Sequence, residues 1–298
     1  MPPDDARLPD AFRLDRVDLT VADLDRSLAF YGGVLGLRAV PGPDGADDRG
    51  DAPRSVLLGA GDRGIVHLSE RPGVRPAPQT ATGLYHLAIL VPDRATLADA
   101  VLRIARERTP VVGAADHAVS EALYLHDPDG HGVELYADRP RERWSWREGR
   151  VVLTTEALDV DGLIAEARND GSDPFVAPAG TTLGHVHLRV RDAEEAGAFY
   201  ARTVGFDEVA ALPGASFLSV AGYHHHLGAN AWGSQGGRSA PDDAARLLAV
   251  RADLPDAASL QALQRRLERD GVPLRSTDRS TVRFDDPSGV PWIVQARS

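Results

Sequence analysis

Two stretches that repeat one pattern decide the fold: Arg16–Gly36, RVDLTVADLDRSLAFYGGVLG, and His185–Gly205, HVHLRVRDAEEAGAFYARTVG. In each stretch, a short run that alternates apolar and polar residues predicts a strand. An aspartate follows, Asp23 or Asp192, which is suited to cap an amphipathic helix. The helix is expected to end near a Phe-Tyr pair and a glycine. The same strand–helix pattern therefore recurs in both halves of the chain.

One further copy of the pattern completes each half of the chain. One copy runs from Gly83 through a predicted helix at 97–108 to an Asp127-Pro128 turn; the other runs from Arg246 through 260–270 to an Asp286-Pro287 turn. An Asp-Pro-x-Gly sequence reverses the chain between two strands, because Pro presets φ and Gly supplies a positive φ. Each curved sheet needs a second module to close its concave side. We therefore expect an α+β fold in which four βαβββ modules form two domains.

The domain boundaries follow from the modules and from composition. Modules 1 and 2 are predicted to occupy residues 12–138, and modules 3 and 4 residues 181–298. The intervening segment 139–180 carries an Arg/Trp run, Asp, Gly and Pro, and is interpreted as a linker.

Composition excludes several classes of function. The chain has 298 residues and a net charge of −11, and a charge of that sign argues against a nucleic-acid partner. No long apolar run predicts a membrane span, and the acidic N-terminus does not resemble a secretory signal, so a cytoplasmic location is expected. Cysteine is absent, which excludes disulfides and thiolate catalysis. All 33 basic residues are Arg, which excludes a Schiff-base lysine.

The hairpin of module 2 places a phenol and a carboxylate on one face. In the strands on either side of its turn, the leucines and valines share one parity, while Tyr124 and Glu134 share the other. A polar face opposite an apolar face indicates a functional site on the polar face.

Repeat position supplies two histidines for this site. His86 and His187 each lie near the start of the first strand of a module, with apolar residues at the opposite parity. The equivalent positions in modules 1 and 4 carry residues of other types. Asp18 of module 1 occupies the position of His187, and Ile293 of module 4 occupies the position of Glu134. Two His and one carboxylate are the ligand set of non-haem Fe(II) oxygenases.

This distribution bears on how the modules pair. Pairing 2 with 3 and 1 with 4 brings His86, His187 and Glu134 into one concave sheet, and we favour this crossed arrangement. The competing arrangement, 1 with 2 and 3 with 4, would build a site from Asp18, His67, His86 and Glu134; a site across an interface is a third alternative.

At these residues the sequence resembles the vicinal oxygen chelate superfamily, and most closely its two-domain type I extradiol dioxygenases. The likeness covers nearly the whole chain. It is carried by the His-to-Glu stretch at 115–134 with its Leu-Tyr and Asp-Pro-x-Gly, by 85–90 (YHLAIL) and by 222–226 (GYHHH). Ala115 departs from the family pattern.

The resemblance implies a function and roles for the residues. It implies cleavage of catechol or a substituted catechol by O2 to a 2-hydroxymuconic-semialdehyde-type product, at Fe(II) or its substitute Mn(II). It assigns His86, His187 and Glu134 as metal ligands. His225 would be the acid–base residue, Tyr124 would hydrogen-bond the substrate oxygen, and His117 would contact the substrate. A homodimer is expected at the level of the family.

Some assignments stay open. The run His224–His226 is predicted to lie in an alternating strand at 217–228, where one parity exposes His225 and the other exposes its two neighbours. His185 shares the parity of His187, and is interpreted as a pocket residue. A metal-free small-molecule-binding protein and a glyoxalase-like lyase are the alternative functions on the same scaffold.

Overall fold

The computed structural model describes residues 7–41, 53–147, 150–170, 174–277 and 280–297. The chain divides into two compact units. Unit 1 takes the described residues of Met1–Asp18, Ala77–Tyr85 and His185–Ser298; unit 2 takes those of Leu19–Pro76 and His86–Gly184.

The described elements include twenty strands and five α-helices. The strands are β1 Arg13–Val21, β2 Arg38–Ala39, β3 Ser55–Ala60, β4 Arg63–Glu70, β5 Arg75–Pro76, β6 Gly83–Val91, β7 Val111–Asp116, β8 Ser120–His126, β9 Gly132–Asp138, β10 Trp146–Arg147, β11 Arg150–Val151, β12 Thr182–Arg189, β13 Asp207–Leu212, β14 Ala215–Ser219, β15 Leu227–Asn230, β16 Ala244–Ala245, β17 Leu247–Leu254, β18 Leu274–Thr277, β19 Thr281–Asp285 and β20 Pro291–Ala296. The helices are α1 Leu24–Leu28, α2 Arg94–Arg106, α3 Val160–Ile164, α4 Ala193–Phe199 and α5 Ala257–Arg269. Within the described residues no helix is long and apolar enough to cross a membrane.

Two eight-stranded sheets carry the modules. Their strand orders are β13-β14-β15-β12-β6-β9-β8-β7 and β18-β19-β20-β17-β1-β4-β3-β2. The first strand of module 3, β12, thus neighbours that of module 2, β6, while β17 of module 4 neighbours β1 of module 1. The predicted α+β fold with crossed pairing of modules is confirmed, whereas the domain boundaries 12–138 and 181–298 stay a prediction.

The predicted helix caps are present and explain where the helices begin. Asp23 and Asp192 each accept a backbone N–H from the first turn of α1 and α4. Asp93 and Asp256 do the same for α2 and α5, which therefore begin at Arg94 and Ala257, three residues before the predicted starts. The Phe-Tyr segments after α1 and α4 continue as π-helical turns at Ala29–Val34 and Tyr200–Val204.

Each Asp-Pro turn is tied to a helix by a buried hydrogen bond. In unit 2 the hydroxyl of Tyr31 donates to Asp127 at 3.1 Å, and in unit 1 the hydroxyl of Tyr200 donates to Asp286 at 2.8 Å. The other oxygen of Asp286 accepts two backbone N–H groups of its own turn. Burial raises the pKa of the Asp286 carboxyl to about 6, against 3.8 for an ordinary aspartate.

The segment 139–180, predicted to be a linker, is structured where the structure describes it. It contains β10, β11 and α3, and Leu163 of α3 is fully buried. The backbone N–H of Arg168 donates to Asp99 of α2 at 2.8 Å. These contacts lie within unit 2, and the assignment of 139–180 as a linker stays a prediction.

Candidate metal centre

The first feature of the site is a buried imidazole–carboxylate pair in unit 2. Nε2 of His86 lies 2.9 Å from Oε2 of Glu134, and both side chains are buried. Their strands are parallel neighbours, with Ala88 of β6 in register with Glu134 of β9. Leu87 is fully buried at the opposite parity. The predicted alternation in β6 and β9 therefore puts the two groups on the same face of the sheet.

The next strand of the same face adds a phenol and a second imidazole. Tyr124 of β8 is in register with Glu134, and its ring centroid lies 5.6 Å from that of His86. The Tyr124 hydroxyl lies 2.8 Å from Nε2 of His117, whose Nδ1 lies 2.8 Å from the carbonyl oxygen of Thr154. A carbonyl oxygen only accepts, so Nδ1 of His117 carries a hydrogen. In neutral His117, Nε2 is then the acceptor and Tyr124 the donor.

The strand β12 carries two histidines at the same parity, and both are buried. The ligand atoms of His86, Glu134 and His185 all lie within 4.8 Å of one another, a spacing that would allow one cation to be bound. His187 is not in this group. Its Nε2 lies 3.0 Å from the side-chain amide nitrogen of Asn230. The assignment of His187 as a ligand, made from repeat position, therefore stays a prediction.

Aromatic rings surround His187. The ring centroids of Tyr85, Phe217 and Trp232 lie 5.1, 5.6 and 5.9 Å from that of His187. The guanidinium of Arg189 stands 5.5 Å from the centroid of the Tyr85 ring, and burial lowers the pKa of this arginine. The exposed edges of Tyr85 and Trp232 form an aromatic wall beside His187.

The run His224–His226 lies in a turn between β14 and β15. The prediction of one continuous strand at 217–228 was wrong, because Ala221 and Gly222 adopt φ of 55° and 65° and reverse the chain. His225 extends toward β12, with its ring centroid 4.1 Å from that of His185. Nδ1 of His225 also lies 2.9 Å from Nδ1 of His224.

His226 stabilises this turn. The backbone N–H of Val220 donates to its Nδ1 at 3.2 Å, and burial lowers the pKa of the imidazole to about 3. A neutral ring is required for that acceptor role, so His226 is a structural residue of the turn.

Two glycines that carry no signal in the sequence leave space for neighbouring side chains because they lack a Cβ atom. A Cβ on Gly228 would lie 2.8 Å from Cγ of His187, and one on Gly184 would lie 1.9 Å from the hydroxyl oxygen of Tyr136. Neither glycine has a turn signature, so only the packing of the sheet reveals its role. Asn230 and Thr154, the partners of His187 and His117, also lacked a signal in the sequence.

The donor set fits a transition metal of intermediate hardness. Two imidazoles and one carboxylate are suited to Fe(II) and Mn(II), and leave coordination positions for substrate. The burial of all three side chains excludes bulk water from the donor atoms.

Comparison with known proteins places these residues in a known context. A family model described as the Glyoxalase/Bleomycin resistance protein/Dioxygenase superfamily matches residues 13–135 and 182–294. A catechol-2,3-dioxygenase of Bacillus subtilis (strain 168) is 41% identical over 279 residues, which cover 92% of this chain and 94% of the relative.

Solved structures share the fold. A protein from Bacillus subtilis subsp. subtilis str. 168 superposes with a TM-score of 0.65 at 15% identity, covering 95% of this chain and 84% of its own. Glyoxalase I from Zea mays superposes with a TM-score of 0.59 at 19% identity, covering 96% of this chain and 92% of its own.

Proposed function

The chain belongs to the glyoxalase/bleomycin resistance protein/dioxygenase superfamily, and we propose that it is an extradiol dioxygenase. Its reaction would be the ring cleavage of catechol, or of a substituted catechol, by O2 at a mononuclear Fe(II). The observation that carries the proposal is the buried pair of His86 and Glu134, with Nε2 and Oε2 2.9 Å apart on the face that also presents Tyr124. The 41% identical relative, named as a catechol-2,3-dioxygenase, supports the reaction class.

The proposed ligands are His86, Glu134 and a histidine of β12. The 4.8 Å grouping supports His185 as the third ligand, and leaves His187 beside the site as a pocket residue. Fe(II), when bound, supplies chelation of two vicinal oxygens and a path for electrons from ring to O2. Mn(II) has overlapping ligand preferences and is the alternative metal.

Tyr124 and His117 would control the proton on the substrate oxygen. While His117 is neutral, the Tyr124 hydroxyl donates to its Nε2 and offers the substrate only an acceptor. In this proposal His117 acts through Tyr124, whose phenol oxygen accepts a hydrogen bond from the hydroxyl of the catechol.

His225 is the proposed acid–base residue. It adjoins His185 and is half-buried, so it would reach the reacting oxygens from the turn after β14. Imidazole is the side chain that most often serves as a general acid–base group, which suits His225 to take a proton from catechol and return it to oxygen. Its Nδ1 contact with His224 orients the ring.

The aromatic wall would hold the flat substrate ring. Tyr85 and Trp232 expose 37% and 55% of their surface beside His187, and offer an apolar contact for a benzene ring.

The proposed product is a 2-hydroxymuconic semialdehyde that retains both atoms of O2. Ring cleavage beside the diol places one of these atoms in the new carboxylic acid and the other in the new aldehyde.

Anaerobic loading of the protein with Fe(II), followed by catechol in air, tests the proposal. We expect consumption of one O2 per catechol and a yellow ring-fission product, and a Glu134→Gln variant should lose both. A protein that binds catechols without consuming oxygen would instead be a small-molecule-binding protein. Reconstituted protein that binds Fe(II) but opens none of a panel of catechols would contradict the proposed reaction.

A further inference from the structure

A cavity of about 450 Å³ lies on module 4, within unit 1. Its apolar lining includes Leu247, Ala249 and Ile293, which come from β17 and β20. Three arginines and one aspartate also line it: Arg246, Arg275, Arg283 and Asp285. The charged lining therefore carries a net charge of about +2, in a chain whose overall charge is −11.

The cavity occupies the same place in module 4 that the metal centre occupies in module 2. Arg283 of β19 is in register with Ile293 of β20, as Tyr124 is with Glu134. The parallel pairs also correspond, because Arg251 is in register with Ile293 as Ala88 is with Glu134.

This register identifies what replaced each site residue. Ala249 precedes Arg251 by two residues, as His86 precedes Ala88, so Ala249 stands where His86 stands. Ile293 replaces the carboxylate of Glu134, and Arg283 replaces the phenol of Tyr124. Module 4 has thus kept the concave cavity, lost these two metal ligands and gained a cation.

The arginines that line the cavity differ in whether they form ion pairs with carboxylates. Arg275 forms an ion pair with Asp285, and Arg246 pairs with the exposed Asp242 at 2.6 Å. Arg283 has no carboxylate within ion-pair distance among the residues that the structure describes. Its guanidinium is the cation that the cavity can offer to a ligand.

We propose that this cavity is a second, metal-independent site that binds a small organic monoanion. A carboxylate would pair with Arg283 in the bidentate geometry that a guanidinium favours. The apolar body of the ligand would pack against Leu247, Ala249 and Ile293. The cavity volume falls in the range of small-molecule sites.

Titration calorimetry with benzoate tests this site, using the full-length protein as purified. We expect benzoate to bind, and benzyl alcohol, which has the ring without the charge, to bind at least tenfold more weakly. Arg283→Gln should weaken benzoate binding by at least tenfold. Arg202→Gln is the matched control, because it removes an exposed arginine of the same unit that does not line the cavity.

Two further variants keep the result unambiguous. Arg283→Lys keeps the positive charge but not the bidentate fork, so it should bind benzoate more weakly than the wild type and more tightly than Arg283→Gln. Loss of folding would not give this graded order. Glu134→Gln disables the proposed metal centre and should leave benzoate binding unchanged, so failure of the dioxygenase proposal does not affect this test. Absence of benzoate binding, equal loss in Arg202→Gln, or loss in Glu134→Gln would overturn the second site.

Discussion

Nε2 of His86 lies 2.9 Å from Oε2 of Glu134, on two parallel neighbouring strands, and both side chains are buried. An imidazole and a carboxylate buried together in this manner need either a shared proton or a cation to balance the carboxylate charge. The second solution is the one that the proposed function requires.

The identity of the third ligand can be tested with two neighbouring substitutions. We expect His185→Ala to lower Fe(II) affinity by at least 100-fold, because its ligand atom groups with those of His86 and Glu134. His187→Ala should retain iron and raise KM, because its Nε2 faces Asn230. Iron content after anaerobic dialysis distinguishes the two, and loss of iron from His187→Ala alone would restore the assignment made from repeat position.

The acid–base role of His225 predicts a separation of binding from turnover. His225→Gln should bind a full equivalent of Fe(II) and lower kcat by about 10²–10⁴-fold, the usual range for removing a general acid–base group. His126→Gln is the matched control, because His126 is exposed at the end of β8. Equal kcat values for wild type and His225→Gln would refute this role.

The Tyr124–His117 contact predicts that one residue acts through the other. Tyr124→Phe removes the hydroxyl, and should lower kcat/KM for catechol by about tenfold or more, the scale of one hydrogen bond to a charged group. His117→Gln should produce most of the same loss, because the ring nitrogen that lies 2.8 Å from the Tyr124 hydroxyl is gone. The double variant should be no worse than Tyr124→Phe. Additive losses would show that the residues act independently.

The buried Asp286 predicts a pH dependence of stability. Its folded pKa, about 6, lies above the ordinary 3.8, so between these values the folded state binds more protons than the unfolded state. Its contribution to stability is therefore present in full below about pH 4 and is lost as pH rises through 6. The loss should be about 3 kcal/mol.

Urea unfolding of metal-free wild type and Asp286→Asn at pH 4.5 and 7 checks this dependence. The wild type should lose free energy of unfolding relative to the variant as pH rises. Tyr200→Phe retains the carboxyl but removes the hydroxyl that donates to it at 2.8 Å. In that variant the loss should extend to higher pH, and a pH-independent difference between wild type and Asp286→Asn would contradict the account.

The correctly predicted parts of the fold depended mostly on short-range sequence signals, namely helix caps and the alternation of apolar and polar residues in strands. An aspartate that caps a helix acts within three residues, so Asp23 and Asp192 marked the starts of α1 and α4 correctly. The alternation around the Asp127 turn likewise placed Tyr124 and Glu134 on one face. Crossed pairing of the modules could be inferred because the candidate ligands lie in modules 2 and 3, and modules 1 and 4 carry other residues at the equivalent positions.

The rest depended on interactions that a sequence does not display. His185 and His187 have the same parity on β12, so alternation alone does not choose between them as the third ligand. The reversal after β14 depends on a positive φ at Ala221, a residue with no turn preference, and His226 supports it by accepting a backbone N–H. The contact of Arg168 in segment 139–180 with Asp99 of α2 likewise could not be predicted from the composition of the segment.

Anomalous diffraction at the iron edge, from crystals of the Fe(II)-loaded protein, tests the central claim most directly. The account predicts one strong peak within bonding distance of Nε2 of His86, a carboxylate oxygen of Glu134 and an imidazole nitrogen of His185. A peak at any other group of side chains, or iron bound without contact to His86 and Glu134, would contradict it.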